Sequence, residues 1–327
     1  MLVAGALPAG AQPASSSSFT GRGPLETREE WLLVQPHLTL PAISPDPLPE
    51  GATRVRLDGD WGSDFGWRWR FPGDLEDLKF IVDGEHVTMG LEVRRALTPA
   101  ITVGARVGLQ WRGGGILDGV IDWWHRLLHL PGNDRAVFPS GQFRVEGEHG
   151  GEPVVSWDRR LGSGLGRAEL SAQWSLTRPI AGWRTAVVGR VSLPTGTGAF
   201  AAGGVDGGAQ LLAAHRLGSA FDVYLGAGGT VFGSTLLDGV DYARLRPHGF
   251  VVLEWRPTWR WSLLAEASGA GTLVRNIDGY PKLHSYFKMG SKVDVSRWRI
   301  EGGFVEGIKN LQATTDFGVF AAVSREF

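Results

Sequence analysis

The chain has 327 residues, with 33 Lys plus Arg against 34 Asp plus Glu, a formal net charge of -1 and no cysteine. This balance excludes the basic footprint of a nucleic-acid binder, and the missing cysteines exclude disulfide scaffolds, thiolate metal sites and Cys nucleophiles. Glycine, at 48 residues, stands at about twice its usual share and is scattered through apparent strands, where crowded or curved barrel sheets tolerate it.

The N-terminal "MLVAGALPAGAQ" is a short apolar stretch ending in Ala9-Gly10-Ala11 and reads as the end of a secretory signal with an A-x-A site, its basic n-region expected upstream. "PASSSSFTGRGP" after it reads as a flexible linker, so residues 1–22 are taken as signal remnant and linker. Residues 23–52 form a separate N-terminal segment. Within it, "EEWLLVQPHLTLPAISPDPLPEGA" combines apolar runs with prolines that make a poor strand interior. Such a segment is expected either to plug a barrel lumen from the periplasmic side or to lie as a periplasmic extension.

From residue 53 to residue 327 the pattern is alternation at period 2, the mark of strands whose two faces meet different surroundings. "RVRLDGDW" and "HVTMGLEVR" alternate in this way, and "ITVGARVGLQWR" sets Ile, Val, Ala, Val, Leu and Trp against Thr, Gly, Arg, Gly, Gln and Arg. "AELSAQWSL" continues the pattern, then "FDVYLGAGGTVF", "HGFVVLEWR", "WSLLAEASGAGTLV", "HSYFKMGSKVDV", "WRIEGGFVEG" and "DFGVFAAVSREF". Strands of roughly nine to eleven tilted residues cross a bilayer, whereas soluble sandwiches use shorter ones. No apolar run of 18 residues occurs, so a transmembrane helix is excluded.

Short connections ("ALTPA", "HGGEP", "TRPIAGW", "RLGSA", "RPTW", "DVSR") tend to alternate with long ones, as periplasmic turns alternate with extracellular loops in outer-membrane barrels. The expectation is an all-β transmembrane antiparallel up-and-down β-barrel of about 14 strands. Twelve is the second choice, with "FRVEGEH" and "PVVSWDRR" as a loop hairpin. Trp61, Trp111, Trp157, Trp255 and Trp298 near strand ends suit aromatic girdles. The last strand ends at Phe327, resembling the C-terminal signal by which such barrels engage their insertion machinery, although Arg325 interrupts its apolar face.

Taken in order, "GPLETREEWLLVQPHLTLP", "GGGILDGVIDWWHRLLHLPGNDRAVFPSGQF", "GRAELSAQW", "VSLPTGTG" and "VEGIKNLQATTDFGVFAAVSREF" resemble a Gram-negative outer-membrane barrel family known only as a domain of unknown function. The resemblance covers residues 23 to 327. It implies the barrel fold and an outer-membrane location, with outer-membrane lipid and the insertion machinery as partners, and no known activity.

Three features bear on function. "GILDGVIDWWHRLLHLPGND" repeats Ile116, Val120, Ile121, Trp124, Leu127 and Leu128 at helical spacing, a short amphipathic helix in a long loop. It is expected to fold into the lumen, cap the mouth or lie on the membrane surface. Its polar face carries Asp118, Asp122, His125 and His129, types that bind divalent metal; an ordinary polar stripe is the weightier reading, and no metal or cofactor is expected. The third feature is a set of charges on the inward parity of the strands. These are Arg54, Arg56, Asp58, Asp60, Glu92, Arg94, Arg106, Arg112, Arg144, Glu146, Glu169, Arg190, Glu254, Arg256, Lys288, Lys292, Arg299 and Glu301. They are expected either to line an aqueous channel and set its selectivity or to fill a closed barrel with ion pairs. With no G-x-S-x-G or other nucleophile signature, the leading reading is a channel or uptake barrel for small solutes with a partly occluded lumen, not an enzyme. A closed structural or binding barrel and a lipid-acting outer-membrane enzyme are the alternatives.

Overall fold

The computed structural model describes residues 22–70, 78–129, 138–157, 160–309 and 314–327; the expected signal remnant lies outside them. In chain order the elements are β1 (Thr53–Trp69), β2 (Leu78–Ala96), β3 (Ile101–Gly113), α1 (Asp118–Leu128), β4 (Arg144–His149), β5 (Glu152–Ser156), β6 (Gly162–Leu165), β7 (Glu169–Ser175) and β8 (Arg184–Ser192). Then follow β9 (Asp206–Leu217), β10 (Phe221–Val231), β11 (Leu236–Leu237), β12 (Val240–Asp241), β13 (Leu245–Trp255), β14 (Trp261–Ala270), β15 (His284–Val295), β16 (Trp298–Lys309) and β17 (Thr314–Glu326).

Among the described residues, 12 antiparallel strands close into a barrel: β1, β2, β3, β7, β8, β9, β10, β13, β14, β15, β16 and β17. Closure runs through β1 and β17 from Arg54 opposite Glu326, and the amide of Phe327 donates to the Thr53 carbonyl at 2.9 Å. The count is twelve rather than fourteen because β4 and β5, at 6 and 5 residues, are too short to cross a bilayer. They form a hairpin turned at Gly150 and Gly151, whose φ of 62° and 88° require glycine, and β4 extends the loop end of β2. "HGGEP" is therefore a turn at the loop end. β7 has only 7 residues; it pairs with the first half of β3, and β6 pairs with the second half.

Alternation sets the two faces of the wall. In β2, Thr88, Glu92 and Arg94 are buried inside while Met89, Leu91 and Val93 are exposed outside. The chain termini of the barrel and the short turns after β2, β7, β9, β13 and β15 share one end; the long connections share the other. At the turn end Trp174, Trp255, Trp259, Trp261 and Trp298 are exposed as a girdle. Trp157 does not join one: it is buried among the loops, with the Arg112 guanidinium over its ring at 5.1 Å. Arg325 stands between the rings of Trp298 and Phe327, at 5.1 and 4.7 Å, so a cation on an apolar face is accommodated by the girdle itself.

α1 docks on the outside of the wall. Leu117, Ile121 and Trp124 pack on Trp61, Phe304 and Phe317, which stand on the outward parity of β1, β16 and β17. The expected single apolar stripe is thus divided, because Ile116, Val120, Trp123 and Leu127 are 77%, 47%, 56% and 53% exposed.

Candidate functional site: the filled lumen

Residues 22–52 run inside the barrel as an extended hairpin. At the turn end Arg22 donates to the carbonyls of Thr258 and Trp261. The ascending limb passes Glu26, which accepts from Arg54 at 2.9 Å and lies 3.0 Å from Arg94. Arg28 forms a two-pronged pair with Glu169 at 2.8 Å, and Glu29 accepts from both guanidinium arms of Arg246 at 2.6 and 2.7 Å and from the Tyr286 hydroxyl at 2.7 Å. The chain turns over residues 31–37 at the loop end, with the Val34 amide donating to the Trp31 carbonyl at 2.7 Å. The descending limb returns past Asp206, which accepts from the Leu38 amide at 2.9 Å, to Asp46, which pairs with Arg184 at 2.6 Å near the turn end.

Six prolines lie in this stretch, so it lacks N–H donors at those positions and cannot add a strand to the wall. Its buried carbonyls still need partners, and long side chains of the wall supply them. Arg56 donates to the Leu25 carbonyl, Arg112 to Leu32, Tyr242 to Leu33, Arg167 to Pro36, Gln210 to Pro41 and Ser175 to Pro45. The tip is dry. Trp31, Leu32, Leu33 and Val34 are packed among Phe80, Val82, Trp157, Phe232, Tyr242, Leu273 and Ile277 from the loop end of the wall and the loops. The Trp31 indole N–H donates to the Tyr280 hydroxyl at 2.8 Å, and the Leu32 amide to Asp64 at 2.9 Å. The β4–β5 turn is pinned above this cap by Asp278, which accepts from the Gly150 amide at 2.9 Å and lies 3.0 Å from the His149 ring; these two contacts hold its carboxyl below the usual range.

The inward charges are placed as follows. Arg56 pairs with Glu301 at 2.6 Å, Arg106 with Asp58 at 2.7 Å and Arg94 with Glu92 at 3.0 Å. Arg190 lies 3.6 Å from both Glu92 and Glu169, Lys288 pairs with Glu266 at 2.8 Å, and Lys292 lies 3.5 Å from Glu301. Arg299 pairs with Asp294 at 2.6 Å, Glu254 accepts from the Tyr224 hydroxyl, and Arg256 pairs with Asp222 at the turn end. Asp60 lies 3.3 Å from His86. Arg144 and Glu146 depart from the expectation: they pair with each other on β4, outside the closed wall, because that strand belongs to the loop hairpin. Between the charged residues of β8, β9, β10, β13 and β14 lies an apolar band, with Val188, Leu212, Ala214, Val252 and Leu264 packed against Ala42 and Ile43 of the descending limb.

The four polar residues of α1 are not gathered into one site. Asp118 accepts from the Gly141 amide at 2.7 Å, Asp122 is half-buried, His129 is exposed in the left-handed cap at φ 56°, and His125 is buried 3.5 Å from Glu306. Asp206, Arg167, Arg246 and Asp64, which hold the internal segment, were missed. Asp64, Asp206 and Arg246 lie on inward parity and were legible by extending each strand toward its loop end, whereas Arg167 lies between strands and carries no such signal.

A closed antiparallel barrel with an apolar outer face, a paired interior and all long connections at one end has the fold of an outer-membrane β-barrel. The model of the family described as "Protein of unknown function (DUF3187)" matches residues 7–327, and the chain belongs to this family. No curated protein matches it. Among solved structures, the COG4313 outer membrane channel from Pseudomonas putida F1 is similar at TM-score 0.55 and 14% identity, over 86% of this chain and 97% of that one. The KdgM porin aligns at TM-score 0.43 and 6% identity over 84% and 99%. The Pseudomonas putida toluene transporter TodX aligns at TM-score 0.40 and 13% identity over 85% and 89%.

Proposed function

We propose that this protein is a Gram-negative outer-membrane channel or uptake barrel for small solutes whose resting lumen is occupied by its own N-terminal segment. The observation that carries this reading is the hairpin of residues 22–52, which ascends and returns through the whole interior and is anchored at both ends. In this orientation the short turns and both barrel termini face the periplasm, so the segment is reached from that side, and the loop cap faces outward. The C-terminal strand ending at Phe327 serves as the insertion signal. Passage needs no reaction: it needs the segment to shift, exposing a lumen lined by ion-paired side chains and by the apolar band of Val188, Leu212, Val252 and Leu264. The apolar band favours small, weakly polar solutes, and the paired charges exclude large ions.

The test is planar-bilayer conductance of the refolded protein, with heat-modifiable gel migration as the check on folding. The intact chain is expected to be silent or to open rarely, and a chain lacking residues 24–45 to give discrete steps. A folded deletion variant that stays silent would overturn the channel reading in favour of a closed structural barrel.

A further inference from the structure

We infer that His125, Glu306 and Asp316 form a site for a divalent metal ion of the zinc class on the outer flank of the barrel, beneath α1. The three come from separate elements, the last turn of α1, β16 and β17, and their candidate ligand atoms all lie within 4.8 Å of one another. His125 Nε2 and Glu306 Oε1 are 3.5 Å apart, close enough for one ion to bind both after a small adjustment. One imidazole and two carboxylates suit zinc or a neighbouring first-row ion better than magnesium or calcium, which take all-oxygen shells.

The surroundings point the same way. Glu306 and Asp316 stand beside Phe304 and Phe317, and Trp124 of α1 closes over both rings at 5.8 and 5.5 Å. Carboxylates among aromatic rings lose hydration that must be replaced by a partner. Glu306 Oε2 is buried with no hydrogen-bond partner among the described residues, which leaves a ligand atom available to an ion. His125 and Asp316 are themselves buried, so the cluster is enclosed rather than a solvated acidic patch.

An ion here has a structural consequence. The start of α1 is already fixed, because Glu85 on the outward face of β2 accepts from both the Leu117 amide and the Trp61 indole. Metal binding would fix its other end to β16 and β17, beside the seam where β17 meets β1. The helix would then clamp the outside of the barrel across its closing strands. This site is separate from the lumen and does not depend on the channel reading.

The experiment uses the full refolded chain in detergent, stripped with a chelator and titrated with Zn2+, Mn2+, Ca2+ or Mg2+ while thermal unfolding is followed by gel migration and tryptophan fluorescence. Zn2+ is expected to raise the midpoint at micromolar concentration and a chelator to reverse it. His125→Gln, Glu306→Gln and Asp316→Asn keep side-chain shape and should each weaken the response at least tenfold, whereas Asp118→Asn and His129→Gln should keep it. No zinc response in the unmodified chain, or an undiminished one in the three cluster variants, would overturn the site. An equal response to Ca2+ or Mg2+ would overturn its assignment to the zinc class. A variant that misfolds is replaced by competition of the folded protein with a coloured zinc chelator, which reads stoichiometry directly: one ion per chain supports the site and none removes it.

Discussion

The two ends of the internal hairpin are held by different forces. Its stem, around Glu26, Arg28 and Glu29, meets arginines and carboxylates of the wall in close ion pairs. Its tip, Trp31 to Val34, has no charged side chain and meets aromatic and aliphatic side chains under the loops, with neutral hydrogen bonds to Tyr280 and Tyr242 and backbone contacts to Asp64 and Arg112. A buried pair barely offsets the desolvation of its two charges but punishes loss of either partner, so the stem fixes register more than it adds stability. Apolar burial stabilises without regard to register, at about 25 cal/mol per Å² removed from water. The tip therefore supplies holding strength and the stem supplies position, a division that the proposed channel would use to return the segment to one closed arrangement.

Breaking the tip should have the largest effect. Trp31→Ala with Leu33→Ala removes two fully buried side chains and the indole hydrogen bond to Tyr280, costing on the order of 5–10 kcal/mol if the losses add. Single-channel recordings should then show frequent full openings at both low and high salt, since no charge is altered. Recordings as quiet as those of the intact chain would mean that the tip is not the latch.

Breaking the stem should be smaller and, unlike the tip, reparable. Arg246→Met leaves the Glu29 carboxylate with Tyr286 and the nearby His284 ring but without its guanidinium, a cost of about 3–5 kcal/mol. Adding Glu29→Leu removes the stranded charge, and the double variant should recover most of the loss in thermal midpoint and quietness. The cycle measures the coupling between the two residues, which are in direct contact. A double variant worse than either single one would mean that the pair contributes net stability, and the division between tip and stem would fail.

The barrel was legible because a wall between lipid and a polar interior imposes period 2 on every strand, as Met89, Leu91 and Val93 against Glu92 and Arg94 illustrate. The fourteen-strand count erred where "FRVEGEH" and "PVVSWDRR" alternate for a different reason: Val145 and Val155 face the apolar cap rather than lipid. Prolines marked residues 23–52 as something other than strand, but no local pattern distinguishes a segment buried in a lumen from one lying outside. Only the match between its charges and those of distant strands does so, as between Arg28 and Glu169, 141 positions apart. The helix misled in another way. Its apolar residues cover two faces, Leu117, Ile121 and Trp124 toward the wall and Ile116, Val120, Trp123 and Leu127 away from it, so a single buried stripe could not be assigned from spacing.

That second face gives the smallest and most local prediction. A row of exposed apolar side chains, continuous with the lipid-facing wall on which α1 rests and bordered by the exposed Arg126, suits the boundary of acyl chains and headgroups. The chain has no native cysteine, so Trp123→Cys can carry one spin label in the refolded protein. In bilayers the label should be reached by dissolved oxygen and shielded from a water-soluble nickel chelate, with little change in stability or conductance. Equal access to both would place the outer face of α1 in water. Its hold on the barrel would then rest on the docked face alone, and the outer leaflet would have no part in keeping the helix, and the strands beneath it, in place.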